Sequence, residues 1–119
     1  MLSIVFFFFL TGKNGLVPDS YFNASTTRQW YYRASQGRLH LGHVFRHGAG
    51  SWCAKDNDKH PWLEVQLVKS ARVTRVAIQG EPQIHHFVTH YKLDYSMDGK
   101  NWITYTENGF ERVRKLFKI

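Results

Sequence analysis

The fold class of this chain is decided by the stretch His90-Tyr-Lys-Leu-Asp-Tyr-Ser-Met-Asp-Gly-Lys-Asn-Trp-Ile-Thr-Tyr105. From Tyr91 to Tyr95, apolar side chains alternate with polar ones, as they do in a strand with one buried and one solvated face. Asp98-Gly99 then favours a turn, because glycine adopts a positive φ without a Cβ clash, and a second aromatic run follows from Trp102 to Tyr105. The pattern predicts a β-hairpin rather than a helix.

Three further runs extend this sheet prediction. Pro61 to Leu67 alternates cleanly, with its aliphatic residues on one face. Arg72 to Gly80 is rich in Val and Ile but has no purely apolar face, which a bulge or a strand covered on both sides would explain. Val113 to Phe117 begins a last alternating run. Short strands separated by Gly, Pro and Asp turns predict an all-β antiparallel sandwich or barrel without helices of ordinary length.

The composition limits the chain to one small globular domain. It has 119 residues, of which 43% are hydrophobic and 16% aromatic, and this excludes intrinsic disorder. Sixteen Lys and Arg against nine Asp and Glu leave a net charge of +7. The charge favours anionic partners such as phospholipid headgroups, sulfated glycans, nucleic acid or acidic proteins, although charges scattered along a chain also serve solubility alone.

The beginning of the chain bears on its localisation. Met1 to Leu10 is an apolar run too short to span a bilayer. Its length suits a signal peptide, but a preceding basic residue and an Ala-x-Ala-like cleavage site are both absent. Residues 1–15 are therefore interpreted as either a signal peptide or a spurious start with a polar link, and residues 16–119 as the domain. Within the domain, Asn23-Ala24-Ser25 is an N-glycosylation acceptor triplet, which has meaning only in the secretory pathway.

Three consecutive aromatic residues form the first candidate site. Trp30, Tyr31 and Tyr32 show neither strand nor helix periodicity, and they cannot all face one core. Either at least one large ring faces outward, which is the informative kind of exposure, or a loop folds all three back onto the barrel. Arg28 and Arg33 flank them, so the group combines apolar area with positive charge.

Several histidine, aspartate and cysteine side chains are candidates for a metal or catalytic site. The His-x-x-His pair of His40 and His43, with His47 nearby, lacks a carboxylate or cysteine to complete a zinc site, and Gly42 opposes a helix here. Two carboxylates in the charged loop from Lys55 to His60 are too few to indicate calcium. No metal or cofactor is therefore predicted. Cys53 is the only cysteine, so an internal disulfide is excluded and the compartment cannot be read from cysteine content.

Motifs spread along the chain carry a resemblance to a known family. In chain order they are Gly50-Ser-Trp52, Asn57-Asp58, Trp62-Leu-Glu-Val-Gln-Leu67, Val73-Thr-Arg-Val-Ala-Ile-Gln-Gly80, Phe87-Val-Thr-His-Tyr-Lys-Leu-Asp-Tyr-Ser96, Asp98-Gly-Lys-Asn-Trp102 and Leu116-Phe117. Because they recur collinearly from about Leu16 to Phe117, the chain resembles the discoidin domain, also called the coagulation factor type C domain.

The resemblance implies a jelly-roll β-barrel of the galactose-binding-like type, mostly extracellular, that binds ligands without catalysis. The ligand classes it implies are anionic phospholipids, glycans, collagen and other proteins, bound through loops at one end of the barrel. The residues at those loop positions are the candidate ligand-binding residues. They are Arg28, Trp30, Tyr31, Tyr32 and Arg33 in the first loop, Asp56, Asn57 and Asp58 in the second, and Ile84, His85 and His86 in the third.

The chain departs from the family pattern at its ends. It stops before the family's closing strands and lacks both cysteines that the family usually pairs. The domain is therefore expected to be incomplete and to belong to a larger multidomain protein, secreted or at the cell surface. Two other functions remain open from the residues. The net charge and the aromatic residues suit a nucleic-acid-binding barrel, although the basic residues form no stripe, and Cys53 with a histidine could serve an enzyme.

Overall fold

The computed structural model describes residues 3–6, 17–39, 41–70, 72–73, 76–83, 86–107 and 110–111, which fall into two compact units, 1–87 and 88–119. Every strand pair in the described residues is antiparallel, and the helices there are short 3₁₀ helices. The all-β antiparallel prediction is confirmed. None of the helices in the described ranges has the length and apolar character that a membrane span needs.

The described residues of the first unit form four strands and three 3₁₀ helices. The strands are β1 (Ser3–Phe6), β2 (Phe22–Ala24), β3 (Leu63–Val65) and β4 (Val76–Gln79), and the 3₁₀ helices are Asp19–Tyr21, Trp30–Tyr32 and Ala34–Gly37. β3 and β4 confirm the strands predicted in Pro61–Leu67 and Arg72–Gly80, each shorter than its sequence pattern. β1 pairs with β4, with Ser3 opposite Gln79. It lies within residues 1–15, whose role as a leader or link stays a prediction.

β2 and β3 form the ribbon from which the first two loops emerge. In their register Phe22 lies opposite Val65, Asn23 opposite Glu64, and Ala24 opposite Leu63. Phe22 and Leu63 are buried while Asn23 is exposed, as the alternation of side chains across a strand requires. The ribbon therefore has an inner face toward the core and an outer face toward solvent.

The core of the first unit combines apolar residues with one paired cation. Val17, Phe22, Leu39, Trp52 and Leu63 are among its buried members. Arg38 is also buried, with its guanidinium 4.5 Å from the centroid of the Phe22 ring. Its Nη2 donates to Asp19 Oδ1 at 2.7 Å and to the Val17 carbonyl oxygen. These acceptors offset the cost of burying a charge, and they hold the segment that precedes β2 against the core.

The second unit contains the hairpin predicted from the sequence. β5 (Asp94–Tyr95) pairs with β6 (Ile103–Thr104), and the Tyr105 amide donates to the Leu93 carbonyl at 2.7 Å. Gly99 has φ 72°, as the Asp98-Gly99 turn predicts. The strands are only two residues long, because residues 96–102 form the loop, and the Tyr95 and Ile103 side chains are largely exposed rather than buried. β7 (Thr106–Glu107) and β8 (Phe110–Glu111) form another pair. The run predicted at Val113–Phe117 lies outside the described residues.

Candidate recognition site

The aromatic triplet forms a 3₁₀ helix, Trp30–Tyr32, instead of a strand. The backbone amide of Tyr32 donates to the Gln29 carbonyl oxygen at 2.8 Å. Trp30 and Tyr31 pack edge to face with ring centroids 5.8 Å apart, and the centroids of Tyr31 and Tyr32 lie 4.7 Å apart. Trp30 nevertheless stays 60% exposed. A large indole that is packed on one neighbour and open on its other side is a preformed contact surface.

Arg33 joins this helix to a second element. Its Nη1 donates to the Trp30 carbonyl at 3.3 Å and to the His47 carbonyl at 3.0 Å, and the guanidinium lies 5.8 Å from the Trp30 ring centroid. Both acceptors are backbone oxygens, so these contacts do not neutralise the positive charge of Arg33 with a carboxylate. Arg33 therefore fixes the relative position of two loops and adds positive potential between them.

The second element is the Phe45 turn, residues 44–48, which the sequence reasoning did not select as a binding site. Val44 and Gly48 form an isolated antiparallel bridge, so the segment is a tight reversal with Phe45 near its tip. Phe45 is 74% exposed, and the Arg46 guanidinium lies 5.2 Å from its ring centroid. The sequence did carry a signal for this turn. The apolar pair Val44-Phe45 lies between Gly42 and Gly48 and is not part of an alternating strand pattern.

A cleft of about 310 Å³ separates the aromatic helix from the Phe45 turn, and the third loop contributes to it. Its walls include Trp30, Tyr31, Tyr32, His43, Val44, Arg46, His47, Glu81 and Gln83. Burial, and next the charge of Glu81, raise the pKa of the Tyr32 phenol, so its hydroxyl remains a donor at neutral pH. The amide of Gln83 donates to Glu81 Oε1 at 3.4 Å. The first and third loops thus meet, as the resemblance implies.

The second loop is held against the first by the Asp58 network, the hydrogen bonds that Ser25, Thr26 and His60 make to Asp58. Ser25 Oγ and Thr26 Oγ1 donate to Asp58 Oδ2 at 2.6 and 2.7 Å, and the His60 amide donates to Oδ1 at 3.1 Å. Hydrogen bonds to the ionised form lower the pKa of Asp58, those from Ser25 and Thr26 most. The predicted ligand residue Asp58 therefore already has internal partners.

The other predicted residues lie around this network. Arg28 Nη2 is 3.7 Å from Asp56 Oδ2, and the amide of Arg28 donates to the Cys53 carbonyl at 2.8 Å. Asn57 is exposed beside Asp56, and His86 is exposed on the third loop. Ile84 and His85 lie outside the described residues. The structure thus gathers Arg28 to Arg33 with Asp56 to Asp58, and adds the Phe45 turn to them.

The cysteine weighed for catalysis does not lie on the surface of the first unit. Cys53 is buried, with its Sγ 3.4 Å from the Ala54 carbonyl oxygen. Among the residues of the described ranges, no three His, Cys, Asp or Glu side chains are grouped so that they could hold a metal ion. The geometry of the site is that of a surface for contact, with the exposed Trp30 and Phe45 rings, the guanidinium groups of Arg33 and Arg46 beside them, and an open cleft.

Comparison with known proteins gives the chain a family. Rat lactadherin is 35% identical to it over 105 residues, which is 85% of this chain and 25% of the relative. The human EGF-like repeat and discoidin I-like domain-containing protein 3 is 29% identical over 100 residues, 82% of this chain and 21% of the relative. The non-catalytic subunit of the venom prothrombin activator omicarin-C, from Oxyuranus microlepidotus, is 30% identical over 95 residues, 77% of this chain and 6% of the relative. The chain therefore spans a quarter or less of these curated relatives.

No solved structure matches the chain significantly. The family model described as F5/8 type C domain matches residues 22–117, which includes all three candidate loops of the first unit and the hairpin of the second. The discoidin resemblance and the jelly-roll fold that it implies are thereby confirmed. The chain belongs to the F5/8 type C, or discoidin, domain family.

Proposed function

We propose that the chain is a non-catalytic, extracellular recognition module whose ligand is the surface of an anionic phospholipid membrane. The observation that carries the proposal is the exposure of two apolar rings, each with a guanidinium beside it. Trp30 and Phe45 present their rings to solvent, the Arg33 guanidinium lies near the Trp30 ring, and the Arg46 guanidinium lies near the Phe45 ring. The exposed Arg28, in the first loop, adds a third cation. Apolar rings suit the acyl boundary of a bilayer and guanidinium groups suit its phosphates.

The relatives support the non-catalytic part of the proposal. One of them is named as the non-catalytic subunit of its complex, and it is 30% identical to this chain. The buried Cys53 supports the same conclusion, because a catalytic thiol needs access to substrate. Membership of the family favours an extracellular location.

The expected affinity of one module is modest. Each ring contributes about 1.5 to 3 kcal/mol if it is fully buried. Each cation contributes about 1 kcal/mol near an anionic surface, and salt screens that part. Two rings and three cations give a total of roughly 6 to 9 kcal/mol before ordering costs, so a dissociation constant in the micromolar range or weaker is expected. Several modules in one protein would bind far more tightly, and the relatives are several times longer than the region matched.

A glycan is the second candidate ligand, and the cleft is the observation that favours it. Its wall combines the Trp30 to Tyr32 rings with the carboxylate of Glu81 and the side chain of Gln83. Rings that stack on a sugar and side chains that bond its hydroxyls are what a glycan site requires. Phe45 weighs against this ligand, because a ring that is 74% exposed at a turn lies mostly outside any pocket.

The test is sedimentation of the purified chain with vesicles of phosphatidylcholine alone and with vesicles that also contain an anionic phospholipid. Binding only to the anionic vesicles is expected, together with about tenfold weaker binding for Trp30→Ala and for Phe45→Ala. Trp102→Ala is the matched control, since Trp102 is a similarly exposed tryptophan, at 47%, that is not among the residues lining the cleft, and its loss should not change binding. Equal binding to both vesicle types, or none, contradicts the proposal. Binding to a glycan array without vesicle binding favours the second candidate.

A further inference from the structure

We propose that Asn23 carries an N-linked oligosaccharide when the chain is made in the secretory pathway. Asn23-Ala24-Ser25 is the one Asn-X-Ser/Thr triplet in the 119 residues, and its middle residue is not proline. The modification goes beyond membrane recognition. It rests only on the extracellular location that is part of the proposed function.

The fold places Asn23 where an oligosaccharide fits. Asn23 is the central residue of β2 and is exposed, while its neighbour Phe22 is buried. Its cross-strand partner on the outer face is Glu64, which is polar. Side chains alternate across a strand, so the Asn23 amide points away from the core into solvent. Within the described ranges Asn23 is exposed, so a bulky, hydrophilic group attached there extends into solvent.

Ser25, the third residue of the triplet, fixes the order of events. In the folded chain its Oγ donates to Asp58 Oδ2 at 2.6 Å and accepts from the Trp62 amide at 3.0 Å. The hydroxyl is therefore occupied once the Asp58 network has closed. Transfer must take place on the chain before this network forms, and the oligosaccharide then remains on the outer face of the β2–β3 ribbon.

The chemistry is a group transfer that uses a donor of the endoplasmic reticulum. The Asn23 Nδ2 atom attacks C1 of the first sugar of a lipid-linked oligosaccharide pyrophosphate. An N–C bond forms, the bond between C1 and the pyrophosphate oxygen breaks, the amide nitrogen loses one proton, and the lipid pyrophosphate leaves. Nothing is oxidised or reduced, and the transferase supplies the base.

The oligosaccharide should leave the candidate recognition site open. Asn23 is not among the residues that line the cleft, and it precedes the first loop by several residues. Because its side chain projects from the ribbon face, the Trp30 and Phe45 rings stay accessible. Glycosylated and unglycosylated chains are therefore expected to bind anionic vesicles equally.

The experiment translates the full chain behind a cleavable secretion signal in the presence of endoplasmic reticulum microsomes, and scores only chain that is protected from added protease. Wild type and Ser25→Thr should each gain one glycosidase-sensitive species of higher mass, since threonine preserves the triplet. Asn23→Gln and Ser25→Ala should not. After removal of the glycan by an amidase, mass spectrometry should find aspartate at position 23.

Protected wild-type chain that remains unmodified overturns the proposal, and so does a modified species that persists in Asn23→Gln. The two proposals are read out separately. Vesicle binding is measured on the same purified chains, so a glycosylated chain that ignores anionic vesicles counts against membrane recognition only. An unmodified chain that binds them counts against glycosylation only.

Discussion

Asp58 in the first unit and Asp98 in the second both organise a loop by accepting several hydrogen bonds, but their donors come from different distances along the chain. Asp58 is bonded by Ser25 and Thr26, 33 and 32 residues away. Asp98 is bonded by Ser96, by the amides of Lys100 and Asn101 and by the Asn101 side chain, all within three residues. One aspartate joins two loops and the other shapes a single turn.

The two regions also contain a matched pair of glycines. Gly50 and Gly99 both have φ 72°, a conformation that costs other L residues strain. At Gly50 an added Cβ would overlap the backbone of Gly42, whereas at Gly99 it would meet nothing within 4 Å. The same backbone conformation is thus packed against the Gly42 backbone in the first unit, whereas in the second unit it has open space around it.

This difference has a functional consequence. The recognition loops are held by contacts between segments far apart in sequence, so a change in those contacts should alter binding as well as stability. The hairpin turn is held by its immediate neighbours, so a change there should remain local. The predictions below test this contrast, beginning with the largest expected effect.

Gly50→Ala should destabilise the chain much more than Gly99→Ala. Both substitutions carry strain of about 1 to 2 kcal/mol from the positive φ. Gly50→Ala adds about 1 to 3 kcal/mol for the overlap with Gly42, which brings its total to roughly 2 to 5 kcal/mol. Urea unfolding of the two variants measures the difference. Equal losses of unfolding free energy would show that the Gly42 backbone moves aside without cost.

Asp58→Ala should lower the thermal midpoint and weaken binding to anionic vesicles several-fold. Both effects are expected because Ser25 and Thr26 lose their shared acceptor and the first two loops separate. Asp98→Ala should lower the thermal midpoint less and leave vesicle binding unchanged. Thermal unfolding and vesicle sedimentation measure the two effects. Asp58→Asn is the control for charge, since it keeps one carbonyl oxygen for the hydroxyl donors. Vesicle binding that survives Asp58→Ala would show that the network does not position the loops.

The same contrast explains which parts of the fold could be predicted from sequence. The hairpin was predictable because Asp98, Gly99 and the alternating residues beside them act within a few positions. Its strand length was not, because the bonds to Asp98 extend the loop to residues 96–102 at the expense of pairing. The buried strand β3 was predictable from Leu63 and its neighbours for the same local reason.

The candidate site was predictable only where one segment suffices to define it. The three adjacent rings at Trp30 to Tyr32 indicated a candidate site from one segment, although the sequence left open whether a ring faces outward or all three fold back, and Trp30 is 60% exposed. The exposure of Phe45 depends on the bridge between Val44 and Gly48 and on the Arg33 bond to the His47 carbonyl. The two hydroxyl partners of Asp58, Ser25 and Thr26, lie more than thirty residues away. Neither can be derived from spacing, because each depends on how distant segments meet.

Acid should weaken the loop network before it affects the hairpin turn. The folded-state pKa of each aspartate is lowered, so each stabilises the fold above the ordinary pKa of about 4, and this contribution is lost as the pH falls through the folded-state value. Asp98 has the more strongly lowered pKa, chiefly through the amides of Asn101 and Lys100. Its donors stay close to it in the unfolded chain, which reduces the difference between the two states.

Unfolding free energies measured from pH 7 to pH 2 test this expectation. Asp58→Asn should flatten the acid dependence more than Asp98→Asn, and neither should change the curve between pH 7 and pH 5. A larger flattening by Asp98→Asn would mean that the turn around Asp98 forms only on folding. In that case Asp98, with its local donors, would contribute more to the pH dependence of the unfolding free energy than Asp58, with its long-range donors.

The smallest expected effect concerns the ion pair between Arg28 and Asp56. The atoms Nη2 and Oδ2 are 3.7 Å apart, and the side chains are 47% and 83% exposed, so the pair contributes only about 0 to 1 kcal/mol to stability. Asp56→Asn should leave the thermal midpoint almost unchanged. It should strengthen binding to anionic vesicles up to several-fold, because Arg28 is released and a repelling carboxylate is removed. Arg28→Gln should weaken binding by a similar factor, and high salt should abolish both changes. If Asp56→Asn instead weakens binding, the pair positions the loops together with Asp58, and the long-range contacts of the first unit extend to its exposed surface.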